Sequence, residues 1–142
     1  MMLNDDLKLT GKLTIAINGE TVKEVPNLVV TAGKGYVASR MKDTSATAMS
    51  HMAIGSGTTA AAAGQTALVS ELARTGLTST TVSGADIVYV DTFAAGTGTG
   101  AVTEAAILNA SSGGTMLCRT VFSVVNKGAS DAMTITWTVT VS

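Results

Sequence analysis

Charge is scarce in this chain. Lys, Arg, Asp and Glu make up 13% of its 142 residues, against about 25% in an ordinary globular domain. The net charge is −1, so there is no basic excess to attract nucleic acid or an anionic membrane, and neither is an expected partner. Cys118 is the single cysteine, which excludes an intrachain disulfide and fits a reducing interior. His51 is the single histidine. Any Ser-His-Asp or Cys-His pair would have to use it, and a zinc site would need carboxylates or a partner chain. No apolar run approaches the roughly 18 residues that span a bilayer. The start, Met1-Met-Leu-Asn-Asp-Asp-Leu-Lys8, is acidic and lacks a signal-peptide pattern. The expected setting is the cytoplasm or a particle assembled there.

What the chain has is threonine, 23 in all. From Thr75 to Ser142 the only charged residues are Asp86, Asp91, Glu104, Arg119, Lys127 and Asp131. Two readings stand side by side: threonine is a good strand residue, and a surface poor in charge suits a protein covered by neighbours. The residues Met133 to Ser142 alternate without a break. Met133, Ile135, Trp137, Val139 and Val141 fall on one side, and Thr134, Thr136, Thr138, Thr140 and Ser142 on the other. Successive strand side chains point to opposite faces, so this is a strand with a greasy face and a hydroxyl face.

At this length one domain, residues 1–142, is expected. Leu7–Ile17 reads as strand, Asn18-Gly19 as a hairpin turn, and Glu20–Val25 as the returning strand that Pro26 ends. Thr31–Met41 is the helix candidate, with Val37 and Met41 on one face and Gly33 and Gly35 weakening it. Lys42–Ser50 reads as loop, His51–Ile54 as a short strand, and Gln65–Leu72 as one or two helical turns. Strands are expected over Thr75–Val82, Ile87–Phe93, Val102–Asn109, Met116–Val125 and the terminal segment, with Met116–Val125 central because both its faces are apolar. About eight strands with regular turn punctuation predict a mainly-β chain, an antiparallel β-sandwich with one short helix near residues 31–41. The segment Met1–Leu7 reads equally as an extended arm or a frayed terminus.

Enzyme machinery is thin, and no catalytic, cofactor-binding or metal residue is expected. His51 reads as a polar residue at a strand start and Cys118 as a small core hydrophobe. Gly96-Thr-Gly-Thr-Gly100 has the wrong spacing for a dinucleotide fingerprint and reads as an inter-strand loop. The carboxylates Asp5, Asp6, Asp86, Asp91, Glu104 and Asp131 lack calcium-loop spacing and read mostly as solvated turn residues, with Asp91 among apolar neighbours. Tyr36, Tyr89 and Trp137 are expected mostly in the core, not stacked on a sugar.

Several stretches, in order and spacing, resemble small virion proteins of tailed bacteriophages. They are Asn27-Leu-Val-Val-Thr-Ala-Gly-Lys34, Met52-Ala-Ile-Gly-Ser-Gly57 with Thr66-Ala-Leu68 and Glu71-Leu-Ala-Arg74, and Phe93-Ala-Ala-Gly-Thr-Gly-Thr-Gly100. Glu104-Ala-Ala-Ile-Leu108, Gly113-Gly-Thr-Met-Leu117 and Arg119-Thr-Val-Phe-Ser-Val-Val-Asn-Lys-Gly128 follow, then the terminal strand. Related sequences are labelled tail-fibre-like or capsid cement (decoration) proteins. The resemblance implies a jelly-roll-type fold and a non-enzymatic cement role. The partner would be the phage major capsid protein, bound on the capsid exterior of a virion assembled in the host cytoplasm. The alternative is a tail or fibre component that contacts the host surface. A homo-oligomer is expected, a dimer before a trimer, because two-fold contacts are commonest.

Overall fold

The computed structural model describes residues 7–42 and 46–142. Among these described residues nine strands and one helix follow one another as β1 (Leu9–Ile17), β2 (Glu20–Val29), α1 (Thr31–Lys42), β3 (His51–Gly55), β4 (Glu71–Gly76), β5 (Ser79–Ser83), β6 (Asp86–Phe93), β7 (Gly100–Leu108), β8 (Met116–Lys127) and β9 (Met133–Val141). All neighbours pair antiparallel. They form one curled, sandwich-like sheet in the order β4-β3-β7-β8-β2-β1-β9-β6-β5. Residues Asp5 and Asp6 and most of the arm segment lie outside the described residues.

Strand β2 joins the two halves. Its first part pairs with β1 as far as Asn27, opposite Gly11; then Leu28 and Val29 pair with Arg119 and Cys118 of β8. The sequence pattern predicts that Pro26 ends this strand. Instead the strand runs on through Pro26, which stands opposite Lys12 of β1, and changes partner after Asn27; a residue without an N–H is tolerated because β8 is not yet paired on its other side. The Pro26 carbonyl accepts a hydrogen bond from Thr120 Oγ1 at 2.8 Å. The hairpin before it forms as expected, with Asn18 and Gly19 at φ of 50° and 83°.

Two other expectations are corrected. Thr75–Val82 is not one strand. It divides at Gly76-Leu77-Thr78, where the chain steps from one edge of the sheet, β4, to the other, β5. Gln65–Leu72 is not helical: the backbone N–H groups of Val69 and Ser70 are taken by the Glu104 carboxylate, and Glu71 already belongs to β4.

The main core lies between the two halves. Leu13, Ile15, Phe93, Met133, Ile135 and Trp137 meet Met52, Ile54, Val102 and Ile107 there, all fully buried. A second cluster, Val30, Ala53, Ala106, Leu108 and Met116, is buried on the outer face of the β3-β7-β8 half, with Ala32 and Leu68 packed on it. That is why β8 reads as apolar on both faces: Met116 to Thr120 are buried without interruption.

Helix α1 sits on β8 through Gly33, the buried residue of the helix. A Cβ at Gly33 would collide with the Leu117 backbone carbonyl, whereas one at Gly35 would meet nothing within 4 Å. Val37 packs half-buried against the core, but Met41 is 79% exposed and does not share its burial. The two glycines therefore answer oppositely to the same change. Gly33→Ala is expected to destabilise by about 1–3 kcal/mol, since close-packed backbone must shift. Gly35→Ala is expected to stabilise by up to about 1 kcal/mol through helix propensity. Urea melts of the two variants check the opposite signs.

Candidate functional site

The hydroxyl side of β9 is not isolated. Register places Thr134, Thr136, Thr138 and Thr140 beside Ala16, Thr14, Lys12 and Thr10 of β1, and on the other flank beside Thr92, Val90, Val88 and Asp86 of β6. Strand β5 extends the rows, with Ser79 opposite Val90, Thr81 opposite Val88 and Ser83 opposite Asp86. Across these four strands runs one continuous outer face whose only charged members are Lys12 and Asp86; it continues onto β2, where Glu24 stands opposite Thr14. Asp86 accepts a hydrogen bond from Thr140 Oγ1 at 2.7 Å, and Lys12 pairs with Glu24 at 3.6 Å. Thr92 and Thr134 hydroxyls meet at 3.0 Å.

Such a face is suited to contact. A hydroxyl both donates and accepts, and it adapts by rotating. Burying it with a partner avoids the several kcal/mol that an ion loses on leaving water. At the edge of this face β5 is exposed along its whole length, and Val82 is 70% exposed. Behind it, Thr80, Val82, Ile87, Tyr89, Val139 and Tyr36 border an apolar hollow of about 320 Å³ between the strand ends and α1.

The other half of the sheet carries a buried polar cluster instead. Glu104 on β7 and Arg119 on β8 have side chains 0% exposed and pair at 2.8 Å. Arg119 Nε also reaches Glu104 Oε1, at 3.1 Å. The carboxylate further accepts N–H groups from Gly57 at 2.8 Å, Val69 at 3.0 Å and Ser70 at 2.8 Å. Arg119 Nη1 continues to the Thr59 carbonyl at 3.0 Å and Gln65 Oε1 at 2.9 Å. The chain from 57 to 70 is thus clipped onto the outer face of β7 and β8. Burial alone would raise the Glu104 pKa, but the Val69 and Ser70 N–H groups, Arg119 and Gly57 outweigh it and hold the carboxyl below its ordinary range. Both side chains are sealed from solvent, and their donors and acceptors are already engaged. The cluster is a structural clip.

Glu104 corrects the expectation of a solvated turn residue, whereas Asp91, expected among apolar neighbours, is 1% exposed on β6. Burial raises its pKa, and the Thr75 hydroxyl at 2.5 Å, the Thr92 N–H at 2.9 Å and Thr78 only partly offset that. His51 stands half-buried at the start of β3, with Ser50 Oγ 2.7 Å from its Nδ1. Among the described residues no hydrogen bond joins His51 to Asp91, so Ser50, His51 and Asp91 do not form a nucleophile–base–orienter chain. Cys118 is fully buried, and burial pushes its thiol pKa up. Gly96 and Gly98, in the loop between β6 and β7, and Gly100, the first residue of β7, all take positive φ, and a strand follows the loop, not a helix. Tyr89 and Trp137 are in the core as expected, while Tyr36 is half-buried beside it. Among the described residues no three His, Cys, Asp or Glu side chains cluster to hold a metal ion, and no helix is long and apolar enough to cross a membrane. No family model, no curated protein and no solved structure matches the chain.

Proposed function

We propose that the chain is a non-enzymatic structural protein of a tailed-bacteriophage virion, a capsid cement protein with a jelly-roll-type fold. It binds the outside of the major-capsid shell and bridges neighbouring subunits. The observation that carries this reading is the outer face of β1, β9, β6 and β5, lined by threonine, serine and valine with only Lys12 and Asp86 charged. Interface centres are depleted of charge in the same way. A protein that binds only the assembled shell stabilises it by mass action, however weak each contact.

The test is quantitative mass spectrometry and cryo-electron microscopy of purified virions. Copies by the hundred over the shell are expected. A handful at one vertex would make the chain a tail component, and absence from virions would overturn both. A surface variant localises the contact. Thr136→Glu places a carboxylate at the middle of the exposed face. Its folding stability is expected to stay within about 0.5 kcal/mol of the parent. Its binding to shells is expected to weaken about a hundredfold or more, because an unpaired carboxylate would be buried.

A further inference from the structure

We infer that two copies of this chain join through the free edge of β5, pairing antiparallel about a two-fold axis at Thr81, so that the two curled sheets continue into one another. The inference rests on the reading of the chain as an adhesive homo-oligomer and names its contact. The two edges of the sheet differ sharply. Edge β4 carries Glu71 and Arg74, ion-paired at 2.7 Å, and its pairing with β3 is interrupted by a register shift at Ile54/Gly55. Charge and bulges are the usual protections against strand addition. Edge β5 has none of them. It is Ser-Thr-Thr-Val-Ser, without charge or proline, exposed throughout and in unbroken register with β6.

The hydrogen-bonding direction is set by the turn that follows. Ser83 pairs with Asp86 across Gly84-Ala85, and Gly84 has φ 58°, as in a two-residue hairpin with glycine first. The residues flanking such a turn exchange hydrogen bonds, and the pattern then alternates. Ser83, Thr81 and Ser79 therefore bond towards β6, and the N–H and C=O groups of Thr80 and Val82 point outward. Two-fold pairing about Thr81 sets Thr80 opposite Val82 of the second copy, and the reverse. That arrangement uses every outward group in four hydrogen bonds. It also sets Ser79 opposite Ser83, so no like charges meet. The near-palindromic order of the strand makes its surface self-complementary, which a two-fold contact requires.

Sedimentation velocity of the intact protein at micromolar concentration is expected to show a dimer. Thr80→Pro removes an outward N–H without touching the β6 ladder. It is expected to raise the dissociation constant at least about tenfold, because two of four cross-copy hydrogen bonds are lost, with a thermal midpoint that matches the parent's at dilutions where both are monomeric. Thr81→Cys is expected to form a disulfide between copies on mild oxidation, since residues facing each other on the axis lie within bridging distance. Ser83→Cys is expected not to, as its copies would stand roughly 13 Å apart along the strands. A monomeric parent, a dimer indifferent to Thr80→Pro, or equal cross-linking of the two cysteine variants would overturn the pairing. A monomer that still decorates shells refutes this contact alone. A β5 dimer absent from virions refutes the cement reading alone.

Discussion

Arg119→Met is expected to lower stability by about 3–5 kcal/mol, because it leaves the Glu104 carboxylate buried without its counter-ion. For a chain of this size that corresponds to a fall of about 10–20 °C in melting temperature. The Arg119 side chain is 0% exposed and contacts Glu104, Thr59 and Gln65, so solvent cannot compensate. Glu104→Leu should cost at least as much. It strands the Arg119 guanidinium and also removes the acceptor for the N–H groups of Gly57, Val69 and Ser70. The double variant Glu104→Gln/Arg119→Met retains an amide oxygen for those N–H groups and buries no charge. It should therefore be more stable than Arg119→Met alone, and with Glu104→Gln as the second single variant a double-mutant cycle measures the non-additivity directly. Simple additivity of the two changes would refute the clip.

The same cluster sets the acid limb of stability. The folded pKa of Glu104 is lowered, so its contribution is complete above the unfolded carboxylate range and is lost as pH falls through the folded value. Asp91 acts in the opposite sense. Its folded pKa is raised by burial, so the folded state binds its proton first and gains stability as pH falls through that raised value. Denaturant midpoints measured from neutral pH downward should rise slightly, then drop. Asp91→Asn should abolish the rise, and Glu104→Gln should blunt the drop.

Much of this fold is legible in residue order. Met133–Val141 announces its two faces by strict alternation, and the structure buries Met133, Ile135, Trp137 and Val139 while leaving the threonines at least partly exposed. Asn18-Gly19 announces its turn, because positive φ twice in succession is open to few residue pairs. The clip leaves no trace in any one carboxylate taken singly. Glu104 is the one charge in Gly100–Leu108, and Arg119 the one charge in Met116–Asn126. Opposite single charges in two strands otherwise fit for burial are the signal that they meet. Other features leave no local trace. Nothing in Thr75–Val82 shows that the chain changes edge at Gly76, since period-two alternation states which face a residue takes and not which strand it joins. Pro26 likewise reads as a stop unless the partner strands on each side are known.

Trp137→Ala is expected to cost about 3–5 kcal/mol, as a large buried ring gives way to a cavity that rigid strands cannot close. Trp137 is 0% exposed. It lies on β9 between Leu13 of β1 and Tyr89 of β6, so the loss falls at the middle of the main core. Trp137→Phe should be far milder, below about 1.5 kcal/mol. Among the described residues the indole Nε1 has no hydrogen-bond partner, and a buried donor without an acceptor costs about 1–3 kcal/mol. Phenylalanine removes that donor while keeping most of the apolar area, so two opposing effects nearly balance. Urea titrations followed by circular dichroism would separate the three cases, with slopes unchanged if only stability moves. The neighbouring Thr138→Ala, whose side chain points the other way, should stay within about 0.5 kcal/mol. A large effect at Thr138 in isolated protein would mean that the hydroxyl row serves the fold itself. Indifference there, beside a collapse at Trp137, would divide the strand cleanly: one face holds the two halves of the sheet together, and the other is free to bind.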